Sequence, residues 1–67
     1  MIKLSILNDG DKYAYMEYQG GNDPKEFNGV YGTGGFWDLE DLFKSLLETY
    51  ADEEIVITNN LKKNYDT

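Results

Sequence analysis

The chain has 67 residues, with thirteen Asp or Glu against six basic residues, giving a formal net charge of −7 and a pI near 4.2. It contains no Cys and no His, and all six basic residues are Lys. A disulfide frame, a thiolate nucleophile, a Cys/His zinc site, an imidazole proton shuttle and a guanidinium clamp are therefore excluded. A chain of about 60 residues buries only roughly 60% of its unfolded surface, which leaves no room for a deep catalytic cleft. At 40% apolar and 15% aromatic with one Pro, the composition favours a folded single domain over disorder. The start, Met1-Ile2-Lys3-Leu4, lacks the apolar core of a signal peptide, and no run is long enough to span a membrane. A soluble, intracellular mini-domain is the expectation, without enzymatic activity, cofactor or metal.

In chain order, Ile2, Leu4 and Ile6 alternate with Lys3 and Ser5, so residues 2–7 predict a half-buried strand. Asn8-Asp9-Gly10-Asp11 is turn chemistry, with Gly10 free to take positive φ. Lys12 to Tyr18 predicts the second strand of a hairpin. Ala14, Met16 and Tyr18 share one face and Tyr13, Tyr15 and Glu17 the other. If the smaller face packs inward, Tyr13 and Tyr15 stand outside, either as cross-strand pairs that stabilise the sheet or as a contact surface.

Residues 20–35 hold six of the seven glycines and the only proline. They predict a long loop, with a short helical turn at Pro24–Asn28 and partial docking through Phe27, Val30 and Tyr31. The next element carries the strongest signal. Leu39, Leu42, Phe43, Leu46, Leu47 and Tyr50 form one apolar stripe at helical spacing, capped by Asp38 and with Glu40 and Asp41 in the first turn. Glu54 to Thr58 predicts a third strand, and Leu61–Thr67 a polar tail anchored by Leu61 and Tyr65. The expected fold is α+β: a β-β-α-β order with a three-stranded antiparallel sheet and one amphipathic helix packed on it.

Two motifs that invite chemistry do not hold. Residues 29–35, Gly-Val-Tyr-Gly-Thr-Gly-Gly, lack the lysine of a phosphate loop, and Trp37 stands where a dinucleotide fingerprint needs glycine. Aligning Gly10 with the sixth position of a calcium loop puts Ser5 first and Met16 last, and neither suits the ion. What remains is the distribution of charge. Asp38, Glu40, Asp41, Glu48, Asp52, Glu53 and Glu54 face one base, Lys44, so residues 38–54 carry −6 of the total −7. At about 1.5 Å of rise per helical residue this is one net negative per roughly 4 Å. One strand of duplex DNA carries one per about 3.4 Å. Such a segment is either a solvated acidic face or a mimic of DNA, whose acidic row offers a partner's lysines and arginines what phosphates would. Tyr13, Tyr15, Tyr31, Phe36 and Trp37 are expected nearby and would supply aromatic contacts.

Asp9-Gly10, Lys12, Tyr13, Tyr15, Glu17-Tyr18 and Gly20 resemble the second-strand region of the short phage-encoded inhibitors of uracil-DNA glycosylase. Leu42-Phe43 with Ala51-Asp52-Glu53-Glu54-Ile55 is similar to the end of their helix and the start of their last strand. The chain departs from them by an insertion around Asn22–Gly35 and by a longer helix. The resemblance implies a homodimer acting in the cytoplasm of an infected bacterium. It further implies that Glu48, Asp52, Glu53 and Glu54 act as phosphate mimics, and that Phe43 and Leu47 join an apolar cage for a side chain of the enzyme. The expected partner is a host DNA- or RNA-processing protein with a basic groove, with no direct contact to nucleic acid or membrane. Two alternatives stay open: an anti-CRISPR or anti-restriction protein using the same mimicry, and an interaction module or antitoxin-like partner using the Tyr13/Tyr15 face.

Overall fold

The computed structural model describes residues 1–62. Strand β1 spans Ile2–Asp9, β2 Lys12–Tyr18, β3 Gly32–Phe36, helix α1 Leu39–Thr49 and β4 Ile55–Asn59. The α+β class and the single amphipathic helix match expectation. The sheet does not: it has four strands in the order β3-β2-β1-β4, and it is mixed. β1 pairs antiparallel with β2 and β2 with β3, whereas β4 runs parallel to β1. The expected anchor at Tyr65 lies outside the described residues.

The hairpin forms as its turn chemistry requires. Asp9 pairs with Lys12, leaving a two-residue turn in which Gly10 adopts φ 64°. Strand β3 is the strand that periodicity could not show, because its sequence is Gly-Thr-Gly-Gly-Phe. Glycine is demanded there by proximity. A Cβ on Gly32 would fall on the Tyr15 carbonyl oxygen and the Met16 side chain, and one on Gly34 would meet Phe27 and Asp9. The helical turn expected at Pro24–Asn28 is absent; those residues form a bend and irregular chain.

Each face of the sheet is covered by a different structure. Leu4, Ile6 and Tyr15 meet Leu42 and Leu46 of α1, and Ile2, Tyr13, Phe36, Leu39, Phe43, Tyr50, Ile55 and Leu61 pack around them. On the reverse face Ser5, Leu7, Ala14 and Met16 are also buried, although no helix lies there. The glycine-rich connection covers that side, tied down by polar groups. Asn60 Nδ2 donates to Ser5 Oγ (2.7 Å), Asp23 Oδ1 (2.8 Å) and the Pro24 carbonyl (3.2 Å), while Ser5 Oγ donates to the Pro24 carbonyl (3.0 Å). Every buried side-chain polar atom among the described residues has a partner.

This double burial corrects the exposed Tyr13/Tyr15 surface. Both faces of β2 are apolar because both are inside. Tyr15 is 3% exposed, stacks on Phe36 at 5.9 Å between ring centroids and meets Tyr50 edge-on at 6.4 Å. Tyr13 is half-buried against the same core.

A candidate acidic interface on helix α1 and its exit

Helix α1 begins where its sequence says it should. Asp38 is extended (φ −139°, ψ 163°), and its Oδ1 accepts the Asp41 amide at 2.9 Å, satisfying one of the orphan donors of the first turn. Burial of Leu42 and Leu46 fixes the helix's rotation, which turns Glu40, Asp41, Lys44 and Glu48 outward. The helix ends at Tyr50, whose amide still reaches the Leu46 carbonyl (3.1 Å). The exit turn is then closed by Glu53 N–H donating to the Tyr50 carbonyl (3.0 Å). That turn displays Asp52, Glu53 and Glu54.

All seven carboxylates expected on this segment are exposed. None forms an ion pair among the described residues, where the single salt bridge joins Lys25 to Asp23 elsewhere on the surface. Lys44 lies four residues from both Glu40 and Glu48 without bridging either. The two ends of the helix differ electrostatically. Asp38, Glu40 and Asp41 sit at the positive end of the helix dipole and stabilise it. Glu48, with Asp52–Glu54 just beyond, crowds the negative end, which has no basic residue in its last turn. Acids spread only for solubility have no reason to gather where the backbone field opposes them. Glu48, the one of them within the last turn, therefore costs stability locally.

The apolar and aromatic candidates separate into inside and outside groups. Tyr15 is core. Tyr13, Phe36 and Phe43 are half-buried against it. Trp37 is 67% exposed, next to the capping Asp38, with Lys12 Nζ 4.3 Å from its ring centroid. Leu47 is 58% exposed, on the same helix as the acids. Tyr31 is the most exposed of the set at 82% and takes the left-handed backbone conformation (φ 61°), which is costly for a bulky residue. It borders a groove of about 430 Å³ lined also by Met16, Tyr18, Asn22 and Pro24, on the loop-covered side of the sheet. The fold thus brings Trp37 and Leu47 to the acidic helix and puts Tyr31 on the opposite side. Exposed Val30 beside Tyr31 likewise departs from the expected docking, which Phe27 alone achieves.

Two tyrosines, Tyr15 beneath the helix and Tyr50 at its C-cap, have shifted acidities. Burial pushes the Tyr15 phenol up, but hydrogen bonding from Ser45, Thr49 and Thr33 outweighs it and leaves the group below the ordinary tyrosine value. Its hydroxyl lies 3.5 Å from Ser45 Oγ. Tyr50 is raised by burial, then by the charges of Glu17 and Tyr15. Both rings pack in the core, Tyr15 against Phe36 and Tyr50 edge-on against Tyr15. Among the described residues no group of three or more His, Cys, Asp or Glu side chains is arranged to hold a metal ion, and no helix is long and apolar enough to cross a membrane.

Fold and surface together define a small α+β protein with an acidic helical edge. Comparison with known protein families, with curated proteins and with solved structures found no match.

Proposed function

We propose that this protein is a phage-type inhibitor that mimics DNA and blocks the DNA-binding surface of a host DNA-acting enzyme, with uracil-DNA glycosylase as the favoured target. It acts by binding, not by catalysis, in the cytoplasm of the infected bacterium. The observation that carries the reading is the unpaired acidic cluster at the helix's C-terminal end. Glu48, Asp52, Glu53 and Glu54 are exposed and lack ion-pair partners among the described residues, and Glu48, in the last turn, opposes the helix dipole. A stability cost carried by surface charges is accounted for when a basic partner neutralises them. The partly exposed Leu47 and Trp37 supply apolar contacts on the same element and at its start.

The test is direct. Purified glycosylase is titrated with the protein while its excision of uracil from a labelled duplex is followed. Inhibition is expected to be competitive with the duplex and to weaken as salt rises, since exposed charge pairs are screened within about 10 Å at 0.1 M ionic strength. Inhibition that is indifferent to duplex concentration would rule out mimicry at the DNA groove. Absence of any binding to the glycosylase would remove that target, and capture of a CRISPR effector or restriction enzyme from a bacterial lysate would redirect the same mimicry to it.

A further inference from the structure

Asn28-Gly29 lies in the connection between β2 and β3, and Asn28 is the only one of the six asparagines followed by glycine. Both residues are exposed and outside any strand or helix. Gly29 takes φ 77°, and the space where a Cβ would stand is open, so nothing shields its amide nitrogen from the side chain before it. That nitrogen has no hydrogen-bond partner among the described residues.

The Asn28 side chain is already turned toward it. Val30 N–H donates to Asn28 Oδ1 at 2.9 Å, closing an Asx turn around the Gly29 peptide. The bond keeps Cγ beside the Gly29 nitrogen, and it sets a donor on the oxygen that becomes negative when that carbon is attacked. Asn59 is the internal comparison. Leu61 N–H donates to its Oδ1, also at 2.9 Å, so the same turn forms. There the intervening amide, Asn60 N–H, is held by the Ile6 carbonyl at 2.9 Å, and its residue carries a side chain. Asn8 and Asn60 use their own side chains to hold Lys62 and the reverse-face loop. Asp9 also precedes a glycine, but an ionised carboxylate is a poor electrophile.

We infer that Asn28-Gly29 is a self-modification site at which the chain deamidates through a cyclic imide. The Gly29 nitrogen bonds to Asn28 Cγ, and the bond from that carbon to the side-chain nitrogen breaks. The side-chain nitrogen leaves as ammonia, carrying the proton that Gly29 gave up. Water then opens the ring, giving aspartate by attack at Cγ or isoaspartate by attack at the main-chain carbonyl carbon of Asn28. Either product adds a carboxylate and moves the net charge from −7 to −8. Isoaspartate also lengthens the main chain by one carbon just before Val30 and Tyr31, and the Tyr31 carbonyl accepts Glu17 N–H at 3.1 Å. The site shares no residue with the acidic helix.

Incubating the whole protein in 18O-labelled water at neutral and mildly alkaline pH, then cleaving after lysine, tests it: Asn28 is the only asparagine of peptide 26–44. That peptide should lose one amide, take up one labelled oxygen and divide into aspartate and isoaspartate forms. The higher pH should speed it, because the attacking nitrogen must be deprotonated. Conversion should run at least about tenfold ahead of Asn59, whose neighbouring amide must first leave the sheet. Asn28→Gln, which would need a six-membered ring, should abolish the added acidic species on isoelectric focusing. The isoaspartate form should exchange its Glu17 amide faster than the parent does. Three results would each overturn the assignment: an unchanged peptide 26–44 while other asparagines convert, conversion to aspartate alone, or acceleration by about tenfold or more on unfolding in urea, which would mean that the fold protects the site.

Discussion

Reversing the charge of Glu48, Asp52 and Glu53 to lysine should move stability and binding in opposite directions. In the fold, Glu48 lies in the last turn of α1, where an anion is disfavoured by about 0.3–1 kcal/mol and a cation favoured by a similar amount. Asp52 and Glu53 lie beyond the helix end, where the dipole's field has largely decayed. Discounted for solvent screening, the gain is therefore about 1 kcal/mol, nearly all of it at Glu48. Three reversals also move the net charge from −7 to −1, since each adds two positive units, and so reduce self-repulsion. For a domain of this size 1 kcal/mol corresponds to roughly 4–8 °C in Tm. The variant should therefore melt a few degrees higher than the parent in low-salt buffer, measured by circular dichroism. Its affinity for the glycosylase should fall by about a thousandfold or more, because three acids that would meet a basic groove become like charges, each costing several kcal/mol at close range. Calorimetric titration at two salt concentrations gives the affinity and its screening. Unchanged affinity would refute the assignment of these acids to the interface. A lower melting temperature would refute the claim that Glu48 strains the helix.

Other substitutions test the architecture. Leu46, fully buried on the inner face of α1, should cost about 3 kcal/mol when cut to alanine, read as a lower urea midpoint at unchanged slope. Asn60→Ala removes the donor that joins Ser5, Asp23 and Pro24. It should cost about 2 kcal/mol, with faster exchange and proteolysis confined to residues 20–31, and a uniform loss across the sheet would contradict that local role.

The parts of this fold that could be read from sequence are those governed by apolar spacing. The stripe from Leu39 to Tyr50 located α1 and its Asp38 cap, and alternation located β1 and β2. β3 escaped because its identity lies in what it lacks: Gly32 and Gly34 are there so that nothing collides with Tyr15, Met16 and Phe27, and an absent side chain leaves no periodicity. The direction of β4 escaped for another reason. A five-residue apolar run reads the same whether it pairs parallel or antiparallel, and only the path of α1 from the β3 edge across to the far edge decides it. An exposed Tyr13/Tyr15 face follows only from a one-sided sheet, and this sheet is covered on both sides. The signal against that lay in Ala14 and Met16 opposite two tyrosines, since a strand apolar on both faces needs two covers. In the candidate site, the acids were legible as a charge run. Which aromatics join them was not, because sequence proximity put Tyr31 near α1 and the bulged β3 carries it to the other side.

The position of β1 has a consequence for the order of assembly. It lies inside the sheet, yet one of its two neighbours is the hairpin partner made immediately after it, and the other is β4, the last strand among the described residues. Asn60, which fastens the loop over the reverse face, follows that last strand directly. During synthesis the hairpin can form early, but Leu7 and Met16 stay uncovered, and one side of β1 unpaired, until residues 55–60 have left the ribosome. The closing contacts are those with the longest loop to close. The fold closes only once residues 55–60 are available to it.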